Sequence, residues 1–199
     1  FLIGGAPRVG KSIMGTEWAE IQRIPLISTD DLCNIPHSSL QTDSEEIESP
    51  PPFSGNPLEN RISVAERVRL QKSEARNLES HIWTRLQQAL NKHSSLIIEG
   101  IHLLPEFLKG IENQYGTEQT RIALIGSTDL NIVMQGIQAD TSESNWLRES
   151  SAAVIRQVAE FTVGFSQELI ADAGRYSLHY VERTTDFSHD RRRIKTLFE

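Results

Sequence analysis

The first twelve residues contain the feature that most constrains how this chain can fold. They read Phe-Leu-Ile-Gly-Gly-Ala-Pro-Arg-Val-Gly-Lys-Ser, so the pattern Gly5-x-x-x-x-Gly10-Lys11-Ser12 follows directly after a short apolar run. A short apolar run indicates a buried strand, and the pattern is typical of a phosphate-binding loop between a strand and a helix. We therefore expect an α/β fold with this loop at the carboxyl end of its first strand.

The residue types in this loop suit the binding of phosphate groups. Glycines let the backbone curve so that successive N–H groups point at phosphate oxygens, and the helix that follows turns the positive end of its dipole toward them. We expect Lys11 to reach the β- and γ-phosphates and the Ser12 hydroxyl to bind Mg²⁺. The predicted nucleotide site comprises Gly5, Ala6, Pro7, Arg8, Val9, Gly10, Lys11, Ser12 and Ile13.

The composition limits the classes of protein to which the chain can belong. Its 199 residues suit one domain, residues 1–199. The net charge of −7 argues against a dedicated nucleic-acid binder, and no apolar run approaches the roughly 20 residues of a membrane span. One cysteine, Cys33, cannot form an internal disulfide, so we expect a reducing cytoplasm. The chain begins at Phe1 inside a predicted strand, so we expect a few residues to precede it.

Strands and helices are predicted to alternate along the chain. Residues 1–5 are predicted to form the first strand, and apolar runs at 23–28, 95–100, 121–126 and 177–182 indicate four more. The run at 95–100 is continuous, as in a parallel strand that is buried on both faces. Three- and four-residue apolar spacing predicts helices near 13–22, 61–92, 103–113, 130–137, 150–173 and 191–198. This alternation predicts a five-stranded parallel sheet covered by helices on both faces.

Two polar segments interrupt this pattern. Residues 33–60 are rich in Ser, Pro and acidic residues and have few apolar anchors, so we expect a flexible insertion on the substrate side. Residues 139–150 are also polar, and we expect them to form a lid.

Carboxylates at the ends of predicted strands limit which reactions the predicted nucleotide site can support. No Asn-Lys-x-Asp stretch is present to read guanine, which argues against a GTP switch. A small-molecule kinase needs a carboxylate to receive the acceptor's proton, and Asp30 or Asp31 follows the second predicted strand. Adjacent residues of an extended segment point in opposite directions, so we expect one of the two to face the site. Glu99 ends the third strand, where it can hold a Mg²⁺-bound water or assist the base.

Three motifs together resemble a known family. Residues 4–12 with Ile27-Ser28-Thr29-Asp30-Asp31-Leu32 and Ile97-Ile98-Glu99-Gly100-Ile101-His102 are similar to the P-loop kinases that include 2-phosphoglycerate kinase. More distantly, they resemble zeta-toxin and chloramphenicol phosphotransferase kinases. The resemblance implies a P-loop kinase-like three-layer sandwich that uses ATP and Mg²⁺ and phosphorylates a small-molecule acceptor. It also favours Asp30 over Asp31 and matches Glu99 to an acidic strand end.

The later half of the chain is where the pattern of these kinases changes. They usually carry an arginine-rich lid, whereas residues 130–149 contain one arginine, Arg148, with Arg156 further on. We expect Arg148 or Arg156 to supply the lid cation. His102 either lines the acceptor pocket or is a buried structural residue. The predicted activity is phosphotransfer to a small metabolite; the alternatives are an ATP-binding regulatory protein without transfer and a toxin-like nucleotide-sugar kinase.

Overall fold

The middle layer of the protein is a five-stranded sheet. The computed structural model describes residues 1–33, 49–54, 62–92, 95–142 and 145–199. The strands are β1 (Leu2–Gly5), β2 (Leu26–Ser28), β3 (Ile97–Gly100), β4 (Ile122–Gly126) and β5 (Tyr180–Glu182). All neighbouring strands run parallel, in the order β2-β3-β1-β4-β5. The prediction of a five-stranded parallel sheet is therefore confirmed.

Helices cover both faces of this sheet. They are α1 (Lys11–Gln22), α2 (Thr29–Cys33), α3 (Val64–Leu90), α4 (Pro105–Tyr115), α5 (Leu130–Ala139), α6 (Ala152–Tyr176) and α7 (Phe187–Phe198). On one face α1 lies against β1, β2 and β3, and α7 lies against β4 and β5. On the other face α6 packs on β4 and also contacts α3, α4 and α5. This is the three-layer sandwich that the sequence predicted.

The strand order places the loop after β1 at the middle of the sheet. β1 pairs with β3 on one side and with β4 on the other, and its four residues are all buried. Because every strand is parallel, the carboxyl ends of β1, β2 and β3 meet at one edge of the sheet, where an open α/β sheet binds its ligands. The loop after β1, the segment after β2 and the end of β3 are therefore neighbours.

The structure corrects one local prediction and refines another. Residues 29–33 form a short helix, α2, and not an extended segment. Asp30 and Asp31 lie in its first turn, where the positive end of the helix dipole favours acidic side chains. The last helix begins at Phe187, four residues before its predicted start, because the Asp186 side chain accepts the His189 N–H and caps it.

The two predicted polar segments are only partly described. Most of the predicted insertion, residues 33–60, lies outside the described residues. Residues 49–54 of it are described, as are residues 139–142 and 145–150 of the predicted lid. Within the described part of the chain, no helix is long and apolar enough to cross a bilayer.

Candidate nucleotide site

The loop between β1 and α1 has the strained backbone that its glycines permit. Gly10 has φ of 94° and precedes α1, and a Cβ there would lie 2.6 Å from the ring of Phe187. A Cβ added at Gly5 would lie only 2.1 Å from the carbonyl oxygen of Ile125. Arg8 also has positive φ, 59°, a conformation that residues with side chains adopt infrequently. Strain of this kind persists only where the surrounding structure imposes it, often around a ligand site.

Several other residues of the loop pack it against the rest of the protein. The Ala6 N–H donates to the Ile125 carbonyl, so it is used in packing the loop on β4. Val9 is a core residue, whereas the Ile13 side chain is exposed. The Pro7 carbonyl accepts a hydrogen bond from Thr162 of α6 at 3.3 Å. The loop is thus hydrogen-bonded both to the sheet, through β4, and to the helix layer, through α6.

Lys11 is the buried cation of the site. Its side chain is 8% exposed, and its Nζ donates to the Ala6 carbonyl at 2.6 Å. Burial lowers the pKa of Lys11, while the nearby carboxylates of Glu99 and Asp30 act in the opposite direction. Two carboxylates from neighbouring strand ends therefore lie near enough to stabilise one ammonium group. The ammonium is held at the mouth of the loop, which is the position predicted for phosphate binding.

The side-chain oxygens of Ser12 and Glu99 lie next to each other at the start of α1. The Ser12 hydroxyl donates to Glu99 Oε1 at 3.2 Å, and the Glu99 carboxylate is buried. Gly15, one helical turn after Ser12, faces the same strand, since a Cβ there would lie in van der Waals contact with Glu99 Cγ at 3.4 Å. The structure thus brings together the two residues that were predicted to hold the metal.

This pair fits Mg²⁺. Mg²⁺ prefers hard oxygen ligands, and it usually keeps several waters and takes only one or two protein groups beside substrate phosphates. A hydroxyl and a buried carboxylate 3.2 Å apart supply such a donor set. When bound, Mg²⁺ would neutralise charge on the phosphates of the nucleotide.

The two aspartates after β2 are both exposed. Asp30 has a side chain that is 76% exposed, and its Oδ1 lies 3.9 Å from Nδ1 of His102. Asp31 is exposed as well. The prediction that they point in opposite directions is wrong, because successive residues of a helix are about 100° apart. The contact with His102 and the influence on Lys11 distinguish Asp30.

The predicted lid is joined to the loop by Arg8. Its Nη2 donates to Asp140 Oδ2 at 2.9 Å and to Asn145 Oδ1 at 2.5 Å. Hydrogen bonds from Ser142, followed by the charge of Arg8, hold the pKa of Asp140 below its usual value. Asn145 is buried, and its Nδ2 donates to the Asp140 carbonyl. The sequence pattern placed the lid cation in the lid itself, whereas here a loop arginine contacts a lid carboxylate.

Removing this contact should loosen the segment that holds Asp140 and Asn145. We expect Arg8→Gln to speed amide exchange at residues 140–142 and 145–147 about tenfold, which corresponds to about 1.4 kcal/mol of local opening. Hydrogen exchange followed by mass spectrometry measures this. Arg156→Gln is the control, because Arg156 pairs with Glu160 on an exposed part of α6. Equal exchange rates in wild type and Arg8→Gln would mean that Arg8 does not hold the segment.

The two predicted lid arginines lie in exposed positions. Arg148 belongs to a turn over residues 146–149 and has an exposed side chain. Arg156 is 67% exposed, and its Nε donates to Glu160 at 2.8 Å. Among the described residues neither Arg148 nor Arg156 is paired with the loop, and the role of Arg148 stays a prediction.

Sequence reasoning missed the polar residues of α3 that meet His102. The ring of His102 is buried, and its Nδ1 lies 2.9 Å from the Thr29 hydroxyl. Gln71 and Glu74 lie on the other side of the ring, with Nε2 of His102 3.4 Å from Gln71 Nε2. Arg67, Gln71 and Glu74 are spaced by four and three residues, which places them on one helix face. That spacing was the available signal, but nothing in the sequence pairs it with His102.

Arg67 lies on the same face of α3 and is also buried. It donates to the Pro51 carbonyl, and its guanidinium lies 4.1 Å from the centre of the Phe53 ring. Two other basic residues of this helix are in ion pairs, Arg69 with Glu66 and Arg76 with Glu106. Arg69 and Arg76 therefore form local ion pairs on the helix surface, whereas Arg67 anchors residues 51–53.

The segment that joins β5 to α7 is built around a buried carboxylate, and the first residue of α7 packs against the loop near Gly10. Asp190 is fully buried, accepts from the Thr184 N–H at 2.7 Å and pairs with Arg183 at 3.3 Å. Arg183 stacks over the Phe187 ring at 3.9 Å, and that ring contacts the loop near Gly10. Sequence reasoning did not find this group, because no local pattern marks it.

Comparison with known proteins gives only distant structural similarities. No protein-family model matches the chain, and no curated protein matches it in sequence. Solved structures that resemble it include shikimate kinase from Bacteroides thetaiotaomicron (TM-score 0.47, 11% identity, 99% of this chain and 96% of that one). Others are a gluconokinase from Sinorhizobium meliloti 1021 (0.47, 11%, 98% and 89%) and an uncharacterized protein from Eubacterium ventriosum ATCC 27560 (0.45, 14%, 99% and 96%). Similarity at this level leaves the geometry of the site as the basis for assigning a function.

Proposed function

We propose that this chain is an ATP- and Mg²⁺-dependent phosphotransferase that acts on a hydroxyl group of a small molecule. The observation that carries the proposal is the geometry of the loop and its neighbours: the buried Lys11 Nζ donates to the Ala6 carbonyl at 2.6 Å, and the Ser12 hydroxyl donates to the buried Glu99 carboxylate at 3.2 Å. A phosphate-binding loop alone indicates only nucleotide binding. A second, exposed carboxylate beside it, Asp30, is the group that an acceptor hydroxyl requires.

In this mechanism the residues divide the work. The loop and Lys11 would hold the phosphates, and Ser12 and Glu99 would hold Mg²⁺, which would neutralise charge on those phosphates. The acceptor oxygen forms a bond to the γ-phosphorus as the bond from that phosphorus to the bridging oxygen of ADP breaks. The acceptor's proton passes to Asp30. Lys11 offsets charge on the transferred group, which is the main task of a protein in phosphoryl transfer.

The acceptor side is proposed to lie beside α2 and α3. Asp30 lies on α2, which packs against α3. We propose that residues 33–60 line the acceptor and that residues 139–150 cover the nucleotide. An acceptor that resembles 2-phosphoglycerate is one possibility that the sequence resemblance raises. The activity fits a small metabolite better than a nucleic acid, given the net charge of −7.

Asp30 gives the direct test of this mechanism. Asp30→Asn removes the proton acceptor but keeps the shape of the side chain, so we expect transfer to fall by about 10²-fold with little change in ATP affinity. Asp31→Asn is the matched control, since it makes the same change one residue away on the same helix. Steady-state transfer assays and calorimetric ATP titrations of both variants give the comparison. If Asp30→Asn transferred phosphate at the wild-type rate, Asp30 would not be the base.

One observation favours a second candidate, an ATP-binding regulatory protein that transfers nothing. Arg148 is exposed and Arg156 is paired with Glu160, so among the described residues neither arginine is paired with the loop, where a kinase would need its lid cation. Slow ATP hydrolysis that no acceptor stimulates, combined with tight ADP binding, would favour this candidate.

A further inference from the structure

A buried histidine links the proposed base to helix α3. Nδ1 of His102 lies 3.9 Å from Asp30 Oδ1, and Nε2 of the same ring lies 3.5 Å from Glu74 Oε2. The His102 side chain is 5% exposed, whereas that of Asp30 is 76% exposed. A fixed interior group therefore stands between an exposed carboxylate at the end of β2 and a carboxylate on α3.

The ring is held in place on both of its nitrogens. The fully buried Thr29 hydroxyl lies 2.9 Å from Nδ1. Thr29 is itself pressed against Gly100, where a Cβ would lie only 1.7 Å from the Thr29 hydroxyl oxygen. On the other edge, Gln71 lies 3.4 Å from Nε2. A buried polar network whose members are paired is rigid, so the ring presents a fixed edge toward Asp30.

The far end of the network is also anchored. Glu74 accepts hydrogen bonds from Gln71 at 2.7 Å and from Ser49 at 2.6 Å. Burial by itself raises the pKa of Glu74, but the contacts with His102, Ser49 and Gln71 outweigh it and lower the pKa. Glu74 is thus held in its charged form, and it connects His102 both to α3 and to residue 49 of the predicted insertion.

We propose that His102 is a positioning residue for phosphoryl transfer, which holds Asp30 toward the acceptor and ties it through Glu74 to α3. Because this role presupposes phosphoryl transfer, it rests on the proposed function. An exposed carboxylate samples several rotamers, and a displacement of about 1 Å at a reacting group can cost on the order of 10²-fold in rate. A rigid imidazole beside Asp30 limits that displacement.

A double-mutant cycle tests whether His102 acts through Asp30. Transfer from Mg-ATP is measured with the acceptor that a metabolite screen identifies, and hydrolysis with water as acceptor is measured in parallel. We expect His102→Asn to lower kcat about tenfold with the KM for ATP unchanged. In the Asp30→Asn background the same change should have almost no effect, since coupled residues are not additive. The proposal would be overturned if the effects of His102→Asn and Asp30→Asn on kcat multiplied in the double variant. It would also be overturned if His102→Asn left kcat unchanged, or if it raised the KM for ATP by as much as it lowered kcat.

Two further variants keep the test decisive if His102→Asn folds poorly. Glu74→Gln retains the size of a half-buried side chain, and we expect it to lower kcat a few-fold in the wild-type background and not at all with Asp30→Asn. An effect of Glu74→Gln that persists in the Asp30→Asn background would overturn the proposal. His179→Asn is the matched control, because His179 is exposed and precedes β5 at the opposite edge of the sheet. It should leave kcat unchanged, and a loss equal to that of His102→Asn would also overturn the proposal.

A measurement on the unliganded protein separates this proposal from the proposed function. The ¹⁵N signals of the His102 ring, assigned by their loss in His102→Asn, should shift in Asp30→Asn and again in Glu74→Gln. If no acceptor is phosphorylated but these shifts occur, the proposed function fails while the linkage of His102 to Asp30 stands. If the ring signals of His102 do not shift in Asp30→Asn, the linkage of His102 to Asp30 is wrong, whatever reaction the protein catalyses.

Discussion

Lys11→Met should abolish productive turnover while leaving the fold nearly intact. Methionine keeps an aliphatic stem of similar length in the buried loop but removes the charge that faces the phosphates. The loss of one positioned electrostatic donor typically costs about 10²–10³-fold in kcat, and ATP binding should weaken as well. The Ala6 carbonyl loses its hydrogen-bond donor, and this loss should lower the free energy of unfolding by about 1–3 kcal/mol. Part of that loss is offset because the variant no longer buries an ammonium group.

Titration calorimetry with Mg-ATP, transfer assays and urea unfolding together test this prediction. Arg156→Met removes an arginine that is exposed and paired on α6, and it serves as the charge control. Wild-type ATP affinity in Lys11→Met would contradict the assignment of the loop as the phosphate site. A global loss of structure would instead show that Lys11 is needed for folding.

Gly100→Ala should destabilise the protein strongly. The backbone has φ of 156° at this glycine, and an alanine Cβ would lie 1.7 Å from the Thr29 hydroxyl oxygen and 2.7 Å from Thr29 Cβ. Thr29 is fully buried between β2 and His102, so it has no room to retreat. Overpacking with backbone strain costs about 1–3 kcal/mol and occasionally more, and we expect a loss of about 3 kcal/mol or more here.

Gly110→Ala is the matched control for this change. Gly110 lies on the exposed side of α4, and a Cβ there meets nothing within 4 Å. Alanine should therefore stabilise the helix by about 0.5–1 kcal/mol through its higher propensity and the lower entropy of the unfolded chain. Urea unfolding of both variants gives the two free energies. A Gly100→Ala protein as stable as wild type would show that Thr29 and Gly100 are not packed as described.

Much of the fold could be predicted because its signals are local. The strand, loop and helix of residues 1–22 follow from one motif, and the apolar runs that end at Ser28, Gly100 and Gly126 mark parallel strands, of which the last two are buried. The order of the strands was not predicted, because local apolar runs do not reveal which strands pair across long crossovers. The meeting of Ser12 with Glu99 was indicated by the sequence, since both residues follow strand ends.

The rest of the site depends on contacts between distant residues. His102 meets Gln71 across 31 residues of sequence, and Arg8 meets Asp140 across 132. Hydrophobic periodicity reports which face of a helix is buried, but it does not report which polar partner that face meets. Residues 29–33 were predicted wrongly for a related reason: the helix that begins at Thr29 has only five residues, too few for a periodic pattern.

Transfer of the γ-phosphoryl group from ATP in the loop to a hydroxyl acceptor is the central claim about this protein. Incubation with Mg-ATP that carries ¹⁸O in its γ-phosphate, together with a panel of hydroxyl-bearing metabolites, tests this directly by mass spectrometry of the products. We predict a phosphorylated metabolite that carries the label, formed by wild type and Asp31→Asn and about 10²-fold more slowly by Asp30→Asn. Labelled inorganic phosphate as the sole product, released at the same rate by Asp30→Asn, would contradict the claim.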